Sequence, residues 1–316
     1  IYFLTRKPAT STSVQATITG AIGATIPAGT LAQDTSGNTY ASTGAVTIGA
    51  TGSATVEFQN VAAGPIPCPA GTLTQVYQAV IGWDSITNAA DGTLGQYVES
   101  RADFEYRRKN SVALNGHGTP QAIYAEVFNI ADVLDVYVKD NPTAATVNTG
   151  ATNYPIVAHS VYVAAVGGVD ADIAAAIWRK KDLGCNTNGN TSVTVTDDSG
   201  YSYPHPSYTI QFERPTSLPV LFAVQLVNDP SLPSNIVQLV QAAIIARFNG
   251  TDGTTRERIG SLILASRYYG AVAGVASNVS LISILIGTVT PTLTQVSVGI
   301  DQRPTVSADD ISVTLV

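Results

Sequence analysis

The 316-residue sequence has no methionine, two cysteines, three histidines and only 12% charged residues. Each shortage excludes something. Cys68 and Cys185 lie far apart and form no Cys-x-x-Cys pair, so neither a disulfide framework nor a cysteine zinc motif is present. Two reduced, buried thiols suit a chain made in a cytoplasm, and a bond between the two stays open. His117, His159 and His205 include no His-x-x-x-His spacing, which would set two imidazoles on one helix face. An average globular protein carries about 25% charged residues. Here Thr, Ser, Asn, Gln and Gly must build the surface. Such a surface is easily stripped of water, which suits a subunit buried against neighbours or a β-protein with a neutral exterior.

The net charge of −7 argues against a general nucleic-acid binder. The densest basic cluster, Arg101, Arg107, Arg108 and Lys109, is interleaved with Asp103 and Glu105 and is expected as a solvated helix face. Tyr268–Ile300 contains no charged residue, but Ser277, Asn278, Ser280, Ser283 and Pro291 interrupt it. No 18-residue apolar run survives there, so strands are expected and membrane insertion is not. No signal peptide is visible. The chain begins Ile-Tyr-Phe-Leu-Thr without an initiator, from which a missing N-terminal segment is expected.

The most informative stretch is 156–189. Val157–Val166 is an apolar, β-branched run between Pro155 and Gly167-Gly168, the pattern of a buried strand opened by His159. Asp170 is placed as a helix N-cap with Asp172 in the first turn, Ile173, Ala174, Ile177 and Trp178 recur at helical spacing, and Arg179, Lys180 and Lys181 fall in the last turn before Gly184.

Residues 1–82 read as an all-β module. Val14–Thr19, Ala45–Ile48 and Ala54–Phe58 alternate between turns, Ser36-Gly37-Asn38 suits a hairpin, and Pro27-Ala28-Gly29-Thr30-Leu31 recurs as Pro69-Ala70-Gly71-Thr72-Leu73, a type I turn by its Pro and Gly. No Gly-Lys-Ser/Thr follows these glycines, so they form no phosphate loop.

Residues 83–215 read as an α+β middle domain. It opens with the connector Trp83–Gly95. A helix then starts from Ser100 and Asp103 as a capping-box variant, and a second starts from Thr119 and Pro120 with Ile123, Val127 and Ile130 as its apolar face. Strands follow at Val133–Val138, in the 156–189 stretch, at Val193–Thr196 and at Tyr208–Phe212. Arg214-Pro215 is expected as a hinge. Residues 216–316 read as a second α+β domain. Its strand Val220–Val227 leads to a helix capped by Ser234 with Ile236, Val240, Ile244 and Phe248 inward and Gly250 as its stop, and a helix over Ile259–Tyr268 comes next. Strands are expected at Val279–Ile286, Thr294–Ile300 and Ile311–Val316, with Asp301-Gln302-Arg303-Pro304 as a turn. The fold class is therefore multidomain α+β, an all-β module followed by two α+β domains with mixed or antiparallel sheets.

Candidate chemistry is thin. His159 beside Ser160 invites a nucleophile–base reading, but adjacent strand residues point to opposite faces, so His159 is expected as a hydrogen-bonded core or interface residue. Asp170 with Asp172 is better explained by helix capping, and Asp197 with Asp198 by an Asp-Asp-Ser-Gly turn, than as paired carboxylates or calcium ligands. No catalytic, cofactor-binding or metal-binding residue is assigned, and no enzyme activity is expected.

The ordered set of Arg6, Pro8, Ala9 and Thr10, Ile26–Thr30, Tyr40, Asn88-Ala89, Gly95, Glu99-Ser100, the helix arginines, His159–Val163 with Gly167-Gly168 and Ile173–Trp178, and Asp301-Gln302-x-Pro304 with Ile311-x-Val313 resembles the baseplate J-like family, the wedge proteins of contractile phage tails. The resemblance spans nearly the whole chain, although the family's N-terminal helical segment has no counterpart. It implies a structural subunit of a baseplate wedge, located in the virion tail and assembled in the host cytoplasm. Such a subunit would associate with itself as a dimer or ring. It would join other wedge proteins, hub or tube proteins and fibre-attachment proteins, and rearrange on contraction, with neither nucleic acid nor a cofactor involved. The alternative is a tail-fibre or adhesin-like carbohydrate-binding module, favoured by the 14 tyrosines and the Tyr/Pro loop Tyr201–Tyr208. A tail hydrolase would rest only on scattered carboxylates.

Overall fold

A computed structural model describes residues 5–110 and 116–316, so the opening Ile-Tyr-Phe-Leu, on which the expectation of a missing segment rests, lies outside it. The chain gathers into two compact units, one ending at Glu99 and one running from Ser100 to Val316.

The first unit is built from β1 (Ser13–Gly20), β2 (Thr25–Ile26), β3 (Leu31–Asp34), β4 (Thr39–Ser42), β5 (Val46–Thr47), β6 (Ser53–Asn60), β7 (Leu73–Val76) and β8 (Trp83–Thr87). Six of these form an antiparallel sheet in the order β7-β3-β4-β6-β1-β8, while β2 pairs with β5. The alternation in β1 buries Val14, Ala16 and Ile18 against Tyr40, Phe58 and Trp83. The sheet curls until its edge strands β7 and β8 lie side by side. Asn88, 1% exposed, closes the gap. Its carboxamide oxygen accepts from Leu73 N at 3.0 Å, and its Nδ2 donates to the carbonyls of Pro69 and Ala90, each at 2.9 Å. Trp83–Thr87, expected at the head of the middle domain as part of a connector, is thus the last strand of this barrel-like sheet. The ladder bonds of β1 were available to it, and polar composition hid the pairing. Both Pro-Ala-Gly-Thr turns carry a positive φ at the third residue, 80° at Gly29 and 75° at Gly71, which makes them type II rather than type I. In each, the threonine hydroxyl donates back to the proline carbonyl at 2.7 Å.

The second unit contains α1 (Arg101–Asn110), α2 (Pro120–Phe128), β9 (Val133–Asn141), β10 (Val147–Thr149), β11 (Tyr154–Ile156), β12 (Ser160–Gly167), α3 (Asp170–Lys180), β13 (Asn186–Asn188), β14 (Thr191–Thr196) and β15 (Ser207–Phe212). It continues through β16 (Thr216–Pro219), β17 (Leu221–Leu226), α4 (Ile236–Asn249), β18 (Leu262–Leu264), α5 (Tyr269–Ala273), β19 (Leu281–Gly287), β20 (Gln295–Ser297), β21 (Gln302–Thr305) and β22 (Ile311–Leu315). Strand β12 is central in the order β13-β12-β9, antiparallel to β9 and parallel to β13. Its odd residues, Val161, Val163 and Ala165, pack on α2, α3 and Phe212. Its even residues, Tyr162, Ala164 and Val166, pack on Ile156, Ile259 and Ile300. Burial on both faces is why this strand reads as a continuous apolar run.

Two helix starts follow the sequence signals, whereas α4 is capped by Asn235 rather than Ser234 and without a side-chain bond. The Thr119 side chain accepts from Ala122 N with Pro120 in the first turn, and Ser100 Oγ accepts from Asp103 N at 3.0 Å. α3 is capped by Val169, with Asp170 inside the first turn rather than at the cap, and it ends at Lys180 before Gly184 is reached. α4 buries Ile236, Val240, Ile244 and Phe248, as expected, against Phe222, Val224, Leu226, Ile284 and Ile286 of the sheet β19-β17-β22, and Gly250 closes it in the left-handed region.

Five expectations are corrected. Ile259–Tyr268 is no helix. Leu262–Leu264 pairs with Gln295–Ser297 and a 3-10 turn follows, because strand pairing outweighs the chance i, i+4 spacing of Ile259 and Ile263. The Arg214-Pro215 hinge is a clamp, described below, and Thr216–Pro219 pairs in parallel with Gln302–Thr305, part of which was expected as a turn. His159 lies outside the strand, exposed, at φ 47°. Asp103 and Arg107 of α1 are buried, so that helix is not a wholly solvated face.

Candidate functional site

The sequence-flagged side chains are scattered. The His117 ring lies 3.2 Å from the carbonyl of Arg179 at the end of α3. His159 and Ser160 do not form a pair, since Ser160 Oγ donates to the carbonyl of Val157 at 2.7 Å. His205 stacks edge-on with Tyr203 in the β14–β15 loop, and its Nδ1 is buried with no partner among the described residues. Asp197 accepts from the backbone and hydroxyl of Ser199, an Asx turn, while Asp198 is exposed. Asp170 accepts from Arg214, and Asp172 is exposed. Cys68 and Cys185 are free thiols. Burial pushes the Cys185 thiol up from its ordinary value despite the nearby Lys181. Among the described residues no three His, Cys, Asp or Glu side chains converge as a metal site, and no helix is long and apolar enough to cross a membrane. A cleft of about 370 Å³ is lined by Asp140, His159, Lys181, Asp182 and Cys185 where β12 and β13 begin. Its Ser160 hydroxyl donates to the Val157 carbonyl rather than to a base.

The elaborate polar chemistry in the second unit ties its parts together. Arg258 donates to Asp103 Oδ1 at 2.6 Å and to Asp135 Oδ1 at 3.1 Å, and its guanidinium lies 4.3 Å from the centroid of the Tyr106 ring. Asp135 Oδ2 accepts from Ile259 N at 2.8 Å. One arginine of the α4–β18 segment is thereby held by α1 and β9 at once. Removing one partner of such a buried ionic group costs roughly 3–5 kcal/mol, because the other charge is left without compensation. Arg214 acts similarly. It donates to the carbonyls of Ala165, Gly167 and Gly168 and to Asp170, fixing the end of β12 to the start of α3. Beside it, the Glu213 carboxylate accepts from Tyr154 OH at 2.8 Å and Asn190 Nδ2 at 2.6 Å. The capping box at Ser100 and the aromatic loop were visible in sequence. The Arg258 network was not, since its partners are 155 and 123 residues away.

At the surface, β19 is an edge strand whose free side is covered. Ile284 N donates to Tyr269 OH at 3.1 Å, and Ile286 exchanges backbone bonds with Leu293. That cover blunts edge pairing without charges. The face of this sheet away from α4 carries Leu221, Ala223, Ser283 and Leu285, all half-buried and none charged. The loop between β14 and β15 projects Tyr201 and Tyr203, the latter 88% exposed.

A chain in the cryo-EM structure of the anti-feeding prophage (AFP) baseplate, 6-fold symmetrised, is similar at 11% identity over 95% of this chain and 77% of that one, with a TM-score of 0.37. No curated protein matches the chain. Residues 15–95, which span β1 to β8 and the Asn88 closure, match the family model described as the baseplate J-like protein barrel domain. The likeness to the baseplate J-like barrel domain thus lies within the first unit of the chain.

Proposed function

We propose that the protein is a structural, non-enzymatic subunit of a contractile-tail baseplate that associates with copies of itself and with other wedge proteins around the tail hub. The observation that carries this reading is the family match over the barrel at 15–95. The low charge content supports it, as does the uncharged, half-buried sheet face at Leu221, Ala223 and Leu285, which a neighbour would cover with little desolvation. Within the second unit the middle part, to about residue 215, carries α2, α3 and β12, and the C-terminal part carries the proposed subunit contact. Rearrangement on contraction would need interfaces with two packings a few kcal/mol apart.

The test is cryo-electron microscopy of the native particle. Density for this chain repeated around the tail axis at the baseplate is the expected result, and particles whose baseplates lack the chain would overturn it. A second reading, carbohydrate binding through the exposed Tyr201–Tyr203 loop, predicts glycan binding by the isolated protein that Tyr203→Ala abolishes.

A further inference from the structure

The hairpin of β14 and β15 has one free side. Asp197 N donates to the carbonyl of Pro206 at 2.9 Å, and Val195, Val193 and Thr191 lie opposite Tyr208, Ile210 and Phe212. In an antiparallel pair such bonds fall on alternate residues, so the odd-numbered backbone groups of β14 face β15. The hairpin's other side is engaged, since Gln211 N donates to Thr187 Oγ1 and Glu213 N to the carbonyl of Val163. The even-numbered groups of β14 point away. The N–H and C=O groups of Ser192, Thr194 and Thr196 meet no hydrogen-bond partner among the described residues, and all three residues are exposed.

Nothing blunts this edge. Proteins guard free edges with charge, proline, a bulge or a cover. β14 reads Thr-Ser-Val-Thr-Val-Thr, and its register with β15 runs unbroken. β19, by contrast, is covered by Tyr269 and Leu293. Val193 and Val195 pack on the cluster that contains Ile173 and Ile177, yet they stay half-buried.

The edge is also complementary to itself. About Thr194, Val193 mirrors Val195 and Ser192 mirrors Thr196. A two-fold axis through Thr194 sets β14 of one copy antiparallel to β14 of another. Ser192 then faces Thr196 of the second copy, and Thr194 faces its own counterpart. Each facing pair exchanges two backbone bonds, about six in all. Valine meets valine on one face of the joined sheet, and hydroxyl meets hydroxyl on the other. Asp197 falls opposite Thr191 and Asp198 opposite Asn190, so no like charges come together.

We propose that β14 is the seam of a two-fold pair, in which a second copy of this chain adds its own β14 to the edge. A strand from another protein would fill the same hydrogen bonds but would not require the symmetry about Thr194. The proposal rests on the reading that the chain associates with itself, and its surface is separate from the sheet face at Leu285. A seam of six residues buries less than a stable dimer needs, so it closes between copies that are already concentrated.

Disulfide trapping of the concentrated, purified full chain is the test, in a Cys185→Ser background, with Cys68 buried. Thr194→Cys sets two thiols across the axis at a Cα separation of about 5.5 Å, within disulfide reach, and should oxidise to a covalent dimer. Ser192→Cys alone should crosslink about tenfold less, because its two copies lie about 14 Å apart along the strands. Ser192→Cys with Thr196→Cys should restore the dimer. Adding Thr194→Lys to that double variant should lower the yield several-fold, and an equal mixture with the Thr194→Glu version should recover it. Thr194 is exposed, so these chains should melt near the wild-type temperature. A Thr194→Cys chain that stays monomeric, equal crosslinking by Thr194→Cys and Ser192→Cys, or a mixture no better than the lysine variant would overturn the seam. The chain's presence in native baseplates is read separately by microscopy, so failed trapping with the chain in place sinks this seam and leaves the assembly reading intact.

Discussion

The phenol of Tyr162 donates a 2.9 Å hydrogen bond to the carbonyl of Ile300. Both residues are buried, and the bond joins central strand β12 to the turn before β21. It sits in the apolar cluster that includes Ile156, Ala164, Ile259 and Ile300, where the even face of β12 meets the C-terminal part of the unit. Tyr162→Phe keeps the ring and leaves a buried carbonyl without its donor, which should cost about 1–3 kcal/mol. Tyr162→Ala also empties the ring's volume and should cost roughly 3–5 kcal/mol. Urea unfolding of both variants checks the order. Equal losses would mean that the hydrogen bond, not the ring packing, dominates.

Glu213 gives a pH dependence of definite sign. Burial pushes its carboxyl above the ordinary value of 4.5, nearby Asp301 adds to this, and hydrogen bonds from Tyr154 and Asn190 pull the other way. A carboxyl whose folded value is raised holds its proton more tightly in the folded state. Its contribution is then fully present below the unfolded value and is lost as pH rises through the folded value. Wild-type stability should therefore fall relative to Glu213→Gln as pH is raised from about 4 to about 7. Chemical denaturation across that range is the measurement, and a difference that stays flat or runs the other way would refute the assignment.

Much of this fold was legible because local and tertiary preferences agree. The unbroken apolar run of β12 could only be a strand covered twice, and Ile236, Val240, Ile244 and Phe248 lie inward as their spacing requires. Thr119-Pro120 and Ser100-x-x-Asp103 mark helix starts because capping is a local reaction of side chain with backbone. What failed was decided at long range. Nothing around Leu262 announces its strand partner at Ser297, and nothing in Asp103 announces Arg258. The positive φ of His159 is a tertiary constraint on a residue with no local reason to adopt it.

The boundary of the barrel can be tested by truncation. β8 supplies an edge strand, and Asn88 joins it to β7 through bonds to Leu73, Pro69 and Ala90. A fragment of residues 5–99 should unfold cooperatively on its own, whereas residues 5–82 should not. In the full chain, Asn88→Ala would strip the side-chain bonds to Leu73, Pro69, Ala90 and Cys68 from a buried seam. It should accelerate hydrogen exchange at the Leu73 amide by at least about tenfold, equivalent to about 1.4 kcal/mol of local stability. A cooperatively folded 5–82 fragment would show that the seam is dispensable.

The last prediction concerns the proposed subunit contact. Strands exposed on one face normally carry Lys, Glu or Arg there, and the face formed by Leu221, Ala223, Ser283 and Leu285 carries none. Its inner counterpart, with Phe222, Val224, Ile284 and Ile286, is filled by α4, so the outer residues can be altered without emptying the core. Leu285→Lys is therefore informative where Ile284→Lys is not, because Ile284 is 1% exposed and a charge there would destroy the core of the free subunit as well. The free Leu285→Lys protein should unfold near the wild-type temperature yet fail to associate, since a lysine buried in an apolar contact leaves an unpaired charge. In wild type, amides from Leu281 to Gly287 should exchange more slowly in the assembled state than in the isolated one. Equal protection in both states, together with normal assembly of Leu285→Lys, would place the contact on another surface of the chain.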